Sequence, residues 1–214
     1  MLGERVNDVA IDERGVVADR RWSVRTTDGK IGSGKNTRRF AAVRELQQVR
    51  AHLSESGVLV TLPDGSSHHV ESAVLHERLS GLVGEPVSLA PESNVSHFDD
   101  GPVSLIARSS VAALAEYRGQ HVDESRFRPN LVLDDLASFH EERWIGRRLC
   151  IGSAVLSVEM PSPRCVMIDH ATAHLPKQPG NLLAVGRLNG ARLGVIARVV
   201  QPGVVRLGDR VHVE

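Results

Sequence analysis

Residues 148–158 read RLCIGSAVLSV: an apolar run, Arg148–Ile151, a Gly152-Ser153 break, and a second run, Ala154–Val158. Two β-rich runs around so tight a turn predict an antiparallel hairpin. The pattern repeats outward. Downstream, Leu193–Val200 is a long β-branched run, Pro202-Gly203 and Gly208-Asp209 are turns, and Val211–Val213 is a last strand. Upstream, Leu131–Leu133 follows Pro129, and Val58–Leu62 and His68–Val70 flank Pro63-Asp64-Gly65. Arg21–Arg25 is a strand before the Asp28-Gly29 turn. Helices are few. Glu71–Leu82 places Val74, Leu75, Leu79 and Leu82 on one stripe ended by Gly84, and Ser109 or Ser110 caps a helix through Tyr117 with Val111, Leu114 and Ala115 inward. Phe40, Val43, Leu46 and Val49 recur every three residues, a spacing that fits a short helix or a strand. Short strands with tight turns predict a mainly β chain, barrel-like or strongly bent, and α+β overall. The polar stretch Ala90–Pro102 is the expected boundary, giving a β-rich subdomain over 1–95 and a second domain over 96–214.

The 26 basic and 26 acidic residues cancel, so no net field draws the chain to nucleic acid or anionic lipid. No uninterrupted apolar run reaches the ~18 residues of a membrane span. The first residues, MLGERVNDVAIDERG, are too charged for a secretory signal, and two cysteines make no disulfide framework. The expected setting is cytoplasmic. Lysine is confined to Lys30, Lys35 and Lys177, so arginine carries most of the positive charge, with a fork suited to phosphate.

Gly29, Gly34 and Lys35 match the spacing of a phosphate-cradling loop, but Asn36 stands where Mg²⁺ needs a hydroxyl. The alternating strands and helices of a parallel sheet are also missing. That leaves a flexible hairpin tip, or Lys35 as an isolated anion contact. His170 and His174 lie four apart beside Asp169, yet Pro176 and Pro179 follow and no amphipathic stripe joins them, so a solvated loop is the better reading than a zinc pair. In Arg126-Phe127-Arg128-Pro129-Asn130, an extended backbone would send both arginines to one side. Phosphate and a pterin edge would suit this set, and so would a surface salt-bridge segment. In Pro161-Ser162-Pro163-Arg164-Cys165 the cysteine has a cationic neighbour that favours the thiolate, which suits a soft or high-valent metal or transferable sulfur. Cys150, in the hairpin, reads as a small hydrophobe.

Taken together these segments resemble the MOSC family, named for the C-terminal domain of molybdenum cofactor sulfurase. Asp19-Arg20-Arg21-Trp22 resembles its early element, Phe127-Arg128-Pro129-Asn130 its central motif, and Trp144-x-Gly146 with Leu149–Gly152 the strand that follows. Arg164-Cys165 matches its cysteine motif, and Pro202-Gly203 through Gly208-Asp209 its closing element. The layout is most similar to the amidoxime-reducing components. The resemblance implies an N-terminal subdomain on a barrel-like MOSC domain, with a Mo-molybdopterin cofactor bound between them. It implies Cys165 as the molybdenum ligand and Arg20, Arg128 and Asn130 as holders of phosphate and pterin. Arg164 and Lys35 are added cofactor contacts, the latter without a secure counterpart.

The activity implied is reduction of N-hydroxylated or N-oxygenated small molecules, with electrons from a separate heme or iron–sulfur/flavin protein. Two alternatives use the same residues: a non-catalytic cofactor carrier, and a sulfur-transfer protein with a persulfide on Cys165. Relatives of this layout carry a Pro-x-Lys-Ser element on their first strand. Met1-Leu2-Gly3-Glu4 resembles the residues just after it, so an upstream strand is expected to be missing. Asp99-Asp100 stands where relatives place hydroxyl residues near the phosphate, and would oppose an anion there.

Overall fold

The computed structural model describes all 214 residues, Met1–Glu214. Strands predominate, with helices α1 (Ala73–Val83), α2 (Arg108–Arg118) and α3 (Asn181–Asn189) and short 3-10 segments between. The residues gather into two compact units, and neither is continuous in sequence. Unit 1 holds Met1–Arg5, Ala18–Asp99 and His170–Lys177; unit 2 holds Val6–Val17, Asp100–Asp169 and Gln178–Glu214.

Unit 1 contains a four-stranded sheet in the order Phe40–Ala42, Ile31–Ser33, Trp22–Thr26, Val87–Pro91. A meander of Arg50–Ser54, Gly57–Thr61 and Ser67–His69 forms a second sheet, with Pro63-Asp64-Gly65 at the predicted turn. The three-residue spacing resolves physically. Phe40–Ala42 is strand, Arg44–Gln48 is a 3-10 helix of three residues per turn, and Phe40, Val43, Leu46 and Val49 are all buried. In α1, Leu75 and Leu79 are fully buried and Gly84 ends the helix at φ +81°. Val74 corrects the expected stripe. It is 51% exposed, because the inward face of α1 is narrower than four positions.

Unit 2 is organised by a six-stranded sheet in the order Leu131–Leu133, Val103–Ala107, Arg192–Gln201, Ala154–Pro163, Arg148–Ile151, Val211–Val213. The hairpin forms as read, from Arg148 opposite Ser157 to Ile151 opposite Ala154. Beyond it, Ala154–Pro163 pairs with Arg192–Gln201 through three register shifts. Such bulges bend a strand and raise its twist, and the sheet curls into a half-barrel. Val103–Ala107 and Leu131–Leu133 run parallel, which requires a crossover, and α2 lies within it. Successive residues of a strand face opposite sides of a sheet. Leu105 accordingly enters one core cluster with Leu149 and Leu156, and Ile106 another with Leu114 of α2 and Val185 of α3. Val195 and Leu193, two apart, divide between the same two clusters because Gly194 at φ +83° breaks the alternation between them. Both faces are covered, so these strands read as unbroken apolar runs.

The serine cap on α2 is also corrected. The helix starts at Arg108 with Ala107 as cap, and the Ala107 N–H donates to the Glu141 carboxylate at 3.1 Å. Ser110 lies inside the first turn, donating to the same carboxylate and accepting from Phe139 N–H. Glu141 is fully buried at the helix N-terminus, where an anion is favoured. A carboxylate from the 3-10 segment His140–Trp144, about thirty residues downstream, thus does what a local hydroxyl was expected to do.

Candidate functional site

In unit 2 the strand Ala154–Pro163 delivers the cysteine. Past Pro163 the chain turns off, and Cys165 heads the 3-10 segment Val166–Asp169, its carbonyl accepting from Ile168 N–H at 3.3 Å. The Cys165 residue is half-buried. Arg164, before it, spends its fork on backbone. Nε donates to the Leu193 carbonyl at 2.8 Å, Nη2 reaches the same oxygen, and Nη1 donates to the Phe127 carbonyl at 3.0 Å. The guanidinium also lies 5.4 Å from the Phe127 ring centroid. Burial pushes the Arg164 pKa down to about 10, against the opposing charges of Asp100, Cys165 and Glu141. It remains a cation at neutral pH. Arg164 therefore ties the cysteine loop to the Phe127–Asn130 segment, a role that the sequence reading did not give it.

That segment is not extended, which corrects the expectation for Arg126 and Arg128. Glu124–Phe127 is a 3-10 turn capped by Asp123, and Arg128 sits at φ +52° with its N–H donating to the Ser125 carbonyl at 3.1 Å. Pro129 disfavours the right-handed helical region for Arg128, and a left-handed bend meets that constraint. Arg126 is buried by the turn, which lowers its pKa, while Arg128 is exposed. Asn130 is locked to Ser104. Its Oδ1 accepts from Ser104 N–H and Oγ–H, each at 2.9 Å, and its own N–H donates to the Ser104 carbonyl at 2.9 Å. Further contacts from the Asn130 carboxamide are thus as an N–H donor.

Unit 1 carries the other two predicted residues. Arg20 sits at φ +52°, pairs with Asp19, and stacks 5.8 Å from the Phe98 ring centroid. Lys35 pairs with Asp99 and lies 5.1 Å from the Phe40 ring centroid. The acidic pair finds its reason here. Asp99 neutralises Lys35 within unit 1, and Asp100 acts on Arg164 within unit 2. His170 and His174 lie in a loop of unit 1, where their Nδ1 atoms face Gln47 at 3.1 Å and Arg50 at 3.4 Å. No three His, Cys, Asp or Glu side chains converge as metal ligands anywhere in the chain. No helix is long and apolar enough to cross a membrane.

Cys150 is half-buried, and its thiol donates to the Glu214 carboxylate at 3.4 Å. That bond and the adjacent negative charge push its pKa up. Glu214→Gln removes the charge and leaves only a weaker, neutral amide acceptor for the thiol, so it should speed Cys150 alkylation at pH 8 several-fold, since the thiolate is the nucleophile. Peptide-resolved alkylation kinetics check this, and an unchanged Cys150 rate would contradict the assigned cause. Sequence reasoning passed over Glu141, Gly194 and His97. Only Gly194 left a signal, a lone glycine inside a β-branched run.

The MOSC domain family model matches residues 85–212. Mitochondrial amidoxime reducing component 2 of Bos taurus is 28% identical over 138 residues, covering 58% of this chain and 40% of its own length. Molybdenum cofactor sulfurase of Drosophila pseudoobscura pseudoobscura is 23% identical over 216 residues, covering 84% of this chain and 27% of its own. The chain spans less than half the length of these curated relatives. The YUAD protein of Bacillus subtilis superposes with a TM-score of 0.53 at 14% identity, covering 98% of this chain and 86% of that one. That likeness bears on the fold alone.

Proposed function

The chain belongs to the MOSC domain family, and on that premise we propose that it is an oxidoreductase of the molybdenum cofactor, reducing N-hydroxylated or N-oxygenated small molecules with electrons from a partner protein. One observation carries the reading: Arg164 hydrogen-bonds the cysteine loop to the segment that presents Arg128 and Asn130. The donor set fits the group. A thiol offers the soft ligand that such a metal takes, exposed Arg128 offers a forked cation for phosphate, and Asn130 offers N–H donors to a pterin edge. Arg20 is the further phosphate contact in this proposal, and Lys35 joins it only by exchanging Asp99 for the anion. Bound there, the cofactor would supply two-electron oxygen-atom chemistry. The chain's own part is to ligate, orient and neutralise. Arg164 stays charged behind Cys165 and holds the cysteine loop in place through the Leu193 and Phe127 carbonyls.

The test is the metal and pterin content of the protein purified from a molybdenum-replete host, followed by turnover of an N-hydroxylated substrate with an artificial reductant. Stoichiometric molybdenum and pterin with turnover is expected. Neither metal nor pterin would overturn the proposal, and metal without turnover would replace it with a carrier. An extra sulfur on Cys165 in a metal-free protein, by mass spectrometry, would replace it with sulfur transfer.

A further inference from the structure

His97 is 5% exposed in unit 1, and both of its ring nitrogens are committed. Nδ1 lies 2.8 Å from the Arg20 carbonyl oxygen. Nε2 lies 3.0 Å from an Arg25 guanidinium nitrogen and 3.0 Å from Ser23 Oγ. A carbonyl can only accept and a guanidinium can only donate. Nδ1 therefore carries the proton and Nε2 is bare, so the ring is the neutral Nδ1–H form. The partner of that N–H is the peptide of a residue held in the left-handed region at φ +52°. Such a conformation costs an arginine free energy and persists only where its surroundings impose it.

The neighbours of His97 brace the same stretch of chain, and one of them touches Arg20 itself. Phe98 lies under the Arg20 guanidinium. Arg39 holds the carbonyls of Ser96 and Phe98 at 2.6 and 2.8 Å. The His97 N–H donates to Glu92 at 2.7 Å, and Glu92 N–H returns to the Arg21 carbonyl at 2.7 Å. We infer that His97 is a positioning residue for an anion-binding arginine: its Nδ1–H fixes the Arg20 peptide while Phe98 steers the guanidinium. This rests on Arg20 being a phosphate contact, as proposed above.

The experiment compares His97→Phe, which keeps the bulk and loses both bonds, with His97→Asn, whose carboxamide N–H replaces the Nδ1–H. The expected result is a roughly tenfold loss of co-purifying pterin in His97→Phe, the scale of an outer-shell defect. In His97→Asn the content stays within about twofold of the parent even if both variants melt lower. In an Arg20→Ala background, His97→Phe should cause no further loss. Two-dimensional NMR of the isotope-labelled full chain supplies a readout free of the cofactor: the parent ring shows its proton on Nδ1, and the Arg20 side-chain N–H signal moves in His97→Phe but not in His97→Asn. A proton on Nε2, an unmoved Arg20 signal, or equal pterin loss in both variants would overturn the inference. Absence of pterin from the parent would instead defeat the proposed function, and the NMR arm would still decide the role of His97.

Discussion

Cys165→Ala protein should be folded, free of molybdenum and without turnover, its activity falling by more than the 10–100-fold that changes outside a metal's own ligands reach. The fold survives because nothing that shapes the loop passes through sulfur. The loop is set by Arg164 N–H on the Ala191 carbonyl, by the Arg164 fork, and by Ile168 N–H on the Cys165 carbonyl. Losing one half-buried sulfur should cost about 1 kcal/mol. Cys165→Ser should not rescue the metal, since it keeps the volume but offers a hard oxygen donor. Cys150→Ala is the control and should retain molybdenum, because that thiol is held by Glu214. Metal content, melting temperature and turnover measured on all three variants decide the matter. A Cys165→Ala protein that keeps its molybdenum would remove the residue from the metal site.

The sheets were legible in the sequence where turn chemistry marked them. Gly152-Ser153 and Pro63-Asp64-Gly65 announce their hairpins because backbone conformation there depends on the residue itself. Elements set by tertiary partners were less legible. The cap of α2 lies in Glu141, and no local pattern near Ser109 points to it. The candidate site shows the same division. Cys165 and Arg128 stand out by residue type and by their prolines, whereas the role of Arg164 depends on carbonyls from segments far along the chain. The family resemblance named residues; the hydrogen bonds showed that Arg164 spends its donors on backbone and that Asn130 has already committed its oxygen.

The same substitution made at two glycines should have opposite signs, and the contrast tests how the cysteine loop is held. Gly194 lies on the strand Arg192–Gln201 at φ +83°, and a Cβ there would sit 2.4 Å from the Leu105 carbonyl oxygen and 3.2 Å from Arg164 Nη2. Alanine at that φ costs about 1 kcal/mol or more. Contact with backbone oxygen cannot be relieved by a rotamer change, so the strand itself must move, adding about 1–3 kcal/mol. Gly194→Ala should therefore destabilise the protein by roughly 2–4 kcal/mol. It should also displace the guanidinium that holds Phe127 and the cysteine loop together, so molybdenum content should fall further than stability alone explains. Gly186 lies in α3 with nothing within 4 Å of its Cβ position. Gly186→Ala should stabilise by roughly 0.5–1 kcal/mol, the helix preference for alanine over glycine, and leave the metal untouched. Denaturant midpoints and metal content of the two variants are the measurement. A Gly194→Ala protein as stable as the parent would mean that the strand yields freely at this point. The close approach of Gly194 to Arg164 would then not be what fixes the cysteine loop.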